Sequence, residues 1–362
     1  MTWTLTYLFL FIITFLLSLL LTPLIIPLAF RLKIIDAPGQ RKIHKKVMPR
    51  LGGLVILFAF MLPLIAASSI ILLSQRGVLE RELLPSLALI HLPGMLSVLP
   101  RLFYFLLGGI AIFIIGLLDD LKNLGPGKKI LGEVIVISIV VGMGLRLSVF
   151  PNFTLLASLL TIIWILTITN AFNLLDNMDG LSAGVALISS LIFLAIASAN
   201  HQYFVAILLA IFAGGLTGFL PYNFHPARIF MGDNGSLFIG YIMGGLTVLS
   251  SFYQEGQPTL FSLLMPILIL AVPLYDTGSV ILIRFKEKRN VFKGDQSHFS
   301  HRLTSLGMSE RLTCLFIYLV TFSLGIGATL LSKVNLAGAI IILLESISVL
   351  GIIALLEFSA RK

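Results

Sequence analysis

The chain has 362 residues, of which 58% are hydrophobic and only 11% are charged, and its formal net charge is +9. With a mean hydropathy of +1.05, it has too few polar side chains to cover a water-soluble globule, so an ordinary soluble enzyme is excluded. The one cysteine, Cys314, also excludes an intramolecular disulfide and a metal cluster built on cysteines.

Apolar runs close to the length of about 20 residues that crosses a bilayer recur along the whole chain. Because only helices and closed barrels satisfy their backbone in lipid, these runs predict an all-α, polytopic membrane helix bundle, one integral-membrane domain over 1–362. The segment 75–101 is predicted to be an external stretch, either a loop or an interfacial or re-entrant helix. Eleven transmembrane helices are predicted, at about 4–30, 52–74, 102–118, 130–148, 154–169, 181–199, 203–220, 236–252, 260–283, 311–331 and 336–357.

Basic residues predict the orientation of this bundle. No basic cluster precedes the first span and a strongly basic segment follows it, so the N-terminus is expected outside and the C-terminus in the cytoplasm. Alternation of the spans then places most of the 25 lysines and arginines on the cytoplasmic side. This bias explains the positive charge of a plasma-membrane protein, and no nucleic-acid partner is expected.

Five polar segments interrupt the apolar pattern, and all five lie at the face predicted to be cytoplasmic. Acids at the ends of spans are costly, so they usually have a partner, an ion or a catalytic role. The first segment carries Asp119, Asp120 and Lys129. Adjacent carboxylates at a helix C-terminus oppose the macrodipole, which favours a base or the outer shell of a divalent metal, with Lys129 on a phosphate. A solvated turn with paired charges is the alternative.

The second segment carries Asn170, Asn173 and Asp176 at intervals of three, and Asp179 follows one turn later. Residues at this spacing lie on one face of a helix, so their polar groups are expected to converge. Hard oxygen ligands grouped in this way suit Mg²⁺ or Mn²⁺. A capping cluster without a ligand is the alternative.

The third segment, PYNFHPARIFMGDNGS, ends just before the eighth predicted span. Its glycines allow the backbone to approach a ligand closely, and Asp233 offers a carboxylate there. A turn followed by a helix N-cap is the alternative interpretation.

The remaining two segments are cationic loops. One contains His298, His301 and Arg302, side chains suited to binding a diphosphate. The other, between the first two spans, holds Lys45, which we expect to contact the substrate, and ends at Gly52–Gly53, which allow a tight helix start. Attraction to lipid headgroups is the alternative explanation of its charge.

In combination these blocks resemble those of the polyprenyl-phosphate N-acetylhexosamine-1-phosphate transferases, glycosyltransferase family 4, and most closely the undecaprenyl-phosphate N-acetylglucosamine-1-phosphate branch. The resemblance covers nearly the whole chain and rests on NAFNLLDNMDGL, YNFHPARIFMGDNGSLFIG and YDT…DQSHFSHRL. It implies that a UDP-N-acetylhexosamine, preferentially UDP-GlcNAc, gives its sugar 1-phosphate to undecaprenyl phosphate. Mg²⁺, with Mn²⁺ as an alternative, is the implied cofactor, UMP is the implied product, and a homodimer is compatible with the family.

The same resemblance implies roles for single residues. Asn173 and Asp233 look like the Mg²⁺ ligands, and Lys129 looks like the residue that holds the diphosphate. Asp119 is similar in position to the base that acts on the lipid phosphate. The other matched positions are the acidic Asp120, Asp176 and Asp179 and the substrate-binding Asn170, Phe230 (stacked on uracil), His298, His301 and Arg302.

Two positions depart from the family pattern. Relatives that use N-acetylglucosamine commonly have a His-x-His-His motif at 298–301, and here Ser300 replaces its middle histidine. Asn234 replaces the threonine of GDTGS. The three consecutive histidines of the phospho-N-acetylmuramoyl-pentapeptide transferases are absent, so that branch is the alternative within the family. An ion-coupled transporter is the alternative of another class, because acids within membranes also mark transport routes. Against it, the polar motifs lie at one face and no inverted halves are evident.

Overall fold

The computed structural model describes residues 2–36, 47–78, 80, 86–147, 153–252, 260–290 and 297–359. In these ranges the chain is almost entirely helical, with one short antiparallel hairpin of β1 (Ile35–Asp36) and β2 (Met48–Pro49) and a 3₁₀ turn at Leu260–Leu264. The helices are α1 (Trp3–Arg31), α2 (Gly52–Gln75), α3 (Ser86–Lys122), α4 (Pro126–Gly142), α5 (Thr154–Leu175), α6 (Leu181–Ala199), α7 (Tyr203–Asn223), α8 (Asp233–Leu249), α9 (Met265–Ile269), α10 (Ala271–Lys286), α11 (Phe299–Ser305), α12 (Glu310–Thr329) and α13 (Leu336–Ser359).

Each predicted span coincides with a helix, which confirms a multi-pass helical membrane bundle. Among the described residues, eight helices are long and apolar enough to cross a membrane, or nine if a bent pair forms one span. The bent pair is Leu260–Ile269 with Ala271–Lys286, and its parts meet at 69°. The other two predicted spans fall on α4 and α8, which have 17 residues each and are short for a bilayer of ordinary thickness. The count of eleven crossings stays a prediction.

Helix α3 differs most from the prediction. It runs without interruption over 37 residues and contains both Pro93 and Pro100. At about 1.5 Å per residue it is about 55 Å long, well beyond the hydrocarbon thickness of about 30 Å. The predicted external stretch is therefore, from Ser86 onwards, a continuation of the membrane helix. A proline costs a helix one backbone hydrogen bond, and this favoured a break that the structure does not contain.

The centre of the bundle is formed by α7 and α8. Every residue from Asn234 to Val248 in α8 is buried. By contrast α1 and α13 present apolar side chains such as Leu24 and Leu355 outwards. Exposed leucine is expected where the surrounding solvent is lipid, so these two helices form the periphery.

Glycines allow the central helices to approach closely. A Cβ atom on Gly218 of α7 would lie 2.3 Å from the Phe15 carbonyl oxygen of α1, and one on Gly240 of α8 would lie 2.5 Å from Thr169 Cα of α5. Such distances are too short for any side chain, so the packing of these pairs depends on glycine, as is common between membrane helices.

The hairpin brings the chain back against the start of α8. Phe230 N donates to the Pro49 carbonyl (2.8 Å), and Gly53 N donates to the Met231 carbonyl (2.9 Å). A Cβ atom on Gly53 would lie 2.3 Å from Gly235 Cα. The predicted tight helix start is therefore present, and what it approaches is the backbone of the segment that leads into α8.

We expect Gly240→Ala to lower the thermal unfolding midpoint in detergent, because overpacking a close helix contact costs about 1–3 kcal/mol. Gly351→Ala is the matched control. It changes a glycine within α13 whose Cβ would meet no atom within 4 Å, so its midpoint should stay the same or rise. Equal midpoints for the two variants would contradict the proposed packing of α5 on α8.

Candidate active site

The ammonium group of Lys129 is the centre of the polar cluster. This side chain lies in the first turn of α4 and is only 8% exposed. Its Nζ lies 3.2 Å from Asp119 Oδ2, 2.8 Å from Asn173 Oδ1 and 2.6 Å from Asp233 Oδ2. These oxygens belong to the end of α3, to α5 and to the start of α8. One cation therefore joins four helices.

Asn173 is oriented by its second hydrogen bond. Its Nδ2 donates to Ser236 Oγ at 2.8 Å, while that hydroxyl donates its own proton to the Gly232 carbonyl at 3.2 Å. Because the hydroxyl proton is already used, Ser236 accepts from the amide nitrogen. The amide oxygen of Asn173 is thereby directed towards Lys129 and Asp233.

Asp120 lies behind this cluster, and its side chain is only 1% exposed. Its carboxylate accepts from the backbone N–H groups of Asp233 (3.1 Å) and Asn234 (3.0 Å), the first turn of α8. It also pairs with Arg50 Nε at 3.1 Å, and Arg50 Nη2 reaches Asp233 Oδ1 at the same distance. Asp120 thus fixes the start of α8, where the Asp233 carboxylate is presented.

Two residues of the site, Arg50 and Glu133, were not predicted from the sequence. Arg50 looked like one cation among many in a basic loop. Glu133, one turn after Lys129 in α4, is fully buried and accepts a 2.5 Å hydrogen bond from Asn170 Nδ2. Its Oε1 has no hydrogen-bond partner among the described residues. An isolated acid in the middle of an apolar helix was a usable signal, because such a residue is costly without a role.

The two acids that follow α5 have different surroundings. Asp176 directly follows the last residue of α5, where burial and then the nearby Asp233 carboxylate raise its pKa to about 8. Asp179 Oδ2 accepts from Ala227 N at 2.9 Å and lies 3.3 Å from His225 Nδ1. Asp179 is therefore directed towards the end of α7.

The histidine loop, which is the segment that carries His298, His301 and Arg302, is held by a buried carboxylate. Asp276 of α10 is fully buried, accepts from Phe299 N at 2.6 Å and lies 3.0 Å from His298 Nδ1. This contact fixes the first turn of α11. The ring of His301 follows at a centroid distance of 6.4 Å from that of His298. The pairing with Asp276 orients the His298 ring through its Nδ1 atom.

Arg302 is in a different position from the one expected of a diphosphate ligand. It is 6% exposed, its Nε lies 3.1 Å from Glu357 Oε2, and its Nη2 donates to Ser279 Oγ at 2.8 Å. Glu357 belongs to the last helix and also accepts from Tyr275 Oη at 2.9 Å. Arg302 therefore joins the histidine loop to α10 and α13.

Ser300, the departure from the family motif, is 1% exposed and donates to Asn177 Oδ1. The hydrogen bond links the histidine loop to the turn after α5. Phe230 is half-buried three residues before Asp233. Lys45 lies outside the described residues.

The oxygen pair of Asn173 and Asp233 fits the predicted divalent cation. Asn173 Oδ1 and Asp233 Oδ2 are within hydrogen-bonding distance of one Nζ atom, so both are directed at the same point. Amide and carboxylate oxygens are the donors that Mg²⁺ prefers. A cation held there would have Asp119 close by and Lys129 free to contact a phosphate.

A helical membrane bundle that collects carboxylates, an ammonium group and a guanidinium group at one end of its helices has the features of an integral-membrane enzyme for anionic substrates. The model of glycosyl transferase family 4 matches residues 102–251. The probable undecaprenyl-phosphate N-acetylglucosaminyl 1-phosphate transferase of Bacillus subtilis is 34% identical over 334 residues, 90% of this chain and 85% of that protein. The chain belongs to glycosyl transferase family 4.

Other relatives agree with this assignment. The decaprenyl-phosphate N-acetylglucosaminephosphotransferase of Mycolicibacterium smegmatis is 32% identical, over 83% of this chain and 76% of that protein. The phospho-N-acetylmuramoyl-pentapeptide-transferase of Heliobacterium modesticaldum is 37% identical over 203 residues, only 51% of this chain and 60% of that protein. The similarity to the N-acetylglucosamine enzymes therefore extends over much more of the chain.

We predict that Asp176 makes stability depend on pH. In the folded chain the Asp176 carboxyl stays protonated up to about pH 8, whereas in an unfolded chain it loses its proton at about pH 4. Ionisation therefore destabilises the folded state progressively across this interval. In metal-free buffer, the unfolding midpoint of the unsubstituted protein should fall relative to Asp176→Asn as the pH rises from 5 to 9. Parallel profiles would contradict the raised pKa.

Proposed function

We propose that this protein transfers N-acetylhexosamine 1-phosphate, with GlcNAc as the sugar, from its UDP-sugar to undecaprenyl phosphate and releases UMP. This is the first membrane step in the synthesis of a cell-envelope polysaccharide. Membership of family 4 and the names of the relatives support the reaction class. The convergence of Asp119, Asn173 and Asp233 on Lys129 is the observation that carries the proposal for this chain.

The charge balance of the site supports a divalent cation as cofactor. Around Lys129 and Arg50 lie the acids Asp119, Asp120 and Asp233, and both proposed substrates are anionic. Two polyanions brought to an acidic centre need additional positive charge. Mg²⁺ held by Asn173 and Asp233 would screen this repulsion and stabilise the charge that develops on the phosphoryl oxygens.

In the proposed reaction, an oxygen of the lipid phosphate attacks the β-phosphorus of the UDP-sugar. The bond from this phosphorus to the bridging oxygen breaks, and UMP leaves with that oxygen. Lys129 stabilises the transferred phosphoryl group by charge and hydrogen bonding. Asp119, 17% exposed and held by Lys129 and Leu124 N, accepts a proton when the lipid phosphate arrives singly protonated.

We favour direct attack over an aspartyl-phosphate intermediate. The Asp120 side chain is buried, and its carboxylate pairs with Arg50 and accepts hydrogen bonds from backbone N–H groups of α8. The Asp119 carboxylate is bound on one side by Leu124 N and on the other by Lys129. A nucleophile needs a free oxygen in line with the phosphorus, and these contacts favour positioning and proton transfer instead.

We also propose that the protein crosses the plasma membrane eleven times, with the N-terminus outside and the site on the cytoplasmic face. The bias of lysine and arginine towards the loops at the site end supports this orientation. The orientation also matches the proposed donor, since UDP-sugars are soluble anions of the cytosol. A homodimer is compatible with the proposal.

The decisive assay measures UMP release by the purified protein with Mg²⁺, undecaprenyl phosphate and one donor at a time. We expect release only with lipid present and with UDP-GlcNAc as the preferred donor. Release with UDP-MurNAc-pentapeptide alone would assign the muramoyl branch instead. Accumulation of labelled substrate in vesicles without a lipid product would support transport and contradict the proposal.

Lys129→Met should lower the turnover rate by about 100-fold or more, because it removes the preorganised charge at the transferred phosphate. Lys128→Met is the matched control, since the neighbouring side chain is exposed and should be dispensable. Size-exclusion chromatography of both variants checks their folding. Equal loss of activity in the two variants would contradict the role of Lys129.

Asp233→Ala and Asn173→Ala should abolish turnover through loss of the cation, while membrane insertion and folding are retained. The measurement is UMP release across a Mg²⁺ titration. Activity that remains at saturating Mg²⁺ in either variant would refute its assignment as a metal ligand.

A further inference from the structure

A second group of metal-ligating side chains lies outside the Lys129 cluster. Asp179, His225 and Glu310 come from three separate parts of the chain: the turn before α6, the end of α7 and the first residue of α12. Their ligand atoms lie within 4.8 Å of one another. His225 Nδ1 is 3.3 Å from Asp179 Oδ2 and 3.1 Å from Glu310 Oε2. We propose that these three residues bind a divalent cation of the zinc class.

The distances suit a small, borderline-soft ion. Zinc binds imidazole nitrogen and carboxylate oxygen at about 2.0–2.2 Å, so neighbouring ligands of a tetrahedral ion lie about 3.3–3.5 Å apart. The two separations from His225 Nδ1 are close to this value. One imidazole with two carboxylates favours Zn²⁺ or Mn²⁺ over Mg²⁺ or Ca²⁺, which prefer oxygen alone. Three protein ligands leave a fourth position for water.

The position of His225 Nδ1 suits a metal ligand. Its Nδ1 is buried and, among the described residues, has no partner in hydrogen-bond geometry, although two carboxylate oxygens are near it. A ring nitrogen that lies between two carboxylate oxygens is placed where one cation could bind all three atoms. Half-buried side chains, 20–37% exposed, also leave a path for the ion to enter.

The surroundings orient Asp179 and hold α12 against the turn that carries it before any ion binds. Asp179 Oδ2 accepts from Ala227 N at 2.9 Å, a contact that orients the carboxylate. On α12, Glu310 is followed at intervals of four by Cys314 and Tyr318, which donate to the carbonyls of Asp179 (3.4 Å) and Gly180 (2.5 Å). The same face of α12 thus follows the turn that carries Asp179.

A cation bound by Asp179, His225 and Glu310 would also hold the end of the histidine loop. α11 ends at Ser305, and Glu310 begins α12 only five residues later. Asp276 fixes the start of this loop through Phe299 N. The cation would fix its end against the turns that follow α5 and α7. We therefore assign it a positioning role, in which it orders the loop and takes no part in phosphoryl transfer.

The first test measures metal bound to the full-length protein in detergent after incubation with ZnCl₂ or MnCl₂ and dialysis. We expect one retained equivalent of zinc, or one of manganese in addition to any held by Asn173 and Asp233. This equivalent should be lost in His225→Asn, whose affinity for the ion should be at least about tenfold weaker. Asparagine places an amide near the position of Nδ1, so it keeps a hydrogen-bond donor for the carboxylates but binds zinc poorly. His201→Asn is the matched control, at the opposite end of α7.

The variant Asp233→Ala distinguishes metal bound at the second site from metal bound at the Lys129 cluster. Zinc or manganese retained by Asp233→Ala and lost by His225→Asn would support the second site. Loss in Asp233→Ala with retention in His225→Asn would place the ion at the Lys129 cluster and overturn the proposal. Equal metal content in the unsubstituted protein, His225→Asn and His201→Asn would overturn it as well, because any binding would then be adventitious.

Hydrogen–deuterium exchange of residues 299–312 tests the positioning role. Zn²⁺ should slow exchange there in the unsubstituted protein and in His201→Asn, and it should have no effect in His225→Asn. Unchanged exchange on adding Zn²⁺ to the unsubstituted protein would refute the role in ordering the loop.

Discussion

The site depends on one buried ammonium group. Lys129 binds oxygens of Asp119, Asn173 and Asp233 from three helices that are far apart in sequence, and this positions the ends of those helices. Removing one partner of a buried ion pair is strongly destabilising, at about 3–5 kcal/mol, because the other charge stays uncompensated. Each single substitution in the cluster should therefore lower stability, but Lys129 keeps its two other oxygen partners, so the bundle still folds. The metal-dependent transfer that we propose would need the same oxygens to bind a divalent cation in place of the ammonium group.

A second layer gives the cluster its rigidity. Asp120 binds the first backbone N–H groups of α8, and Arg50 bridges Asp120 and Asp233. Arg50 reaches this position only because the hairpin returns the chain along the segment that leads into α8. Gly53 and Gly235 allow the two backbones to approach within a distance that excludes a side chain. Close packing in the apolar bundle and polar geometry at its end are thus parts of one arrangement.

Composition and hydropathy were sufficient to predict the fold class and the location of the apolar spans, because lipid leaves few alternatives to a spanning helix. They did not predict the short α11 or the first part of α3. The motif residues Lys129, Asn173 and Asp233 were predicted for the same site, and they do lie together. Long-range partners could not be predicted. Nothing in the local sequence pairs Arg302 with Glu357, which lies 55 residues further along the chain. The continuous α3 was missed because prolines weaken a helix without always ending it.

Three contacts within the protein fix the position of the histidine loop before any substrate is present. Asp276 holds its first turn, Asn177 accepts from Ser300, and Glu357 binds Arg302. A short helix of seven residues has little stability of its own, so its position is determined by these contacts. Ser300 therefore has a physical reason to differ from histidine: the position faces the turn after α5 and is buried there. Changes at this position should act first through the placement of the loop, and only through that placement on the diphosphate.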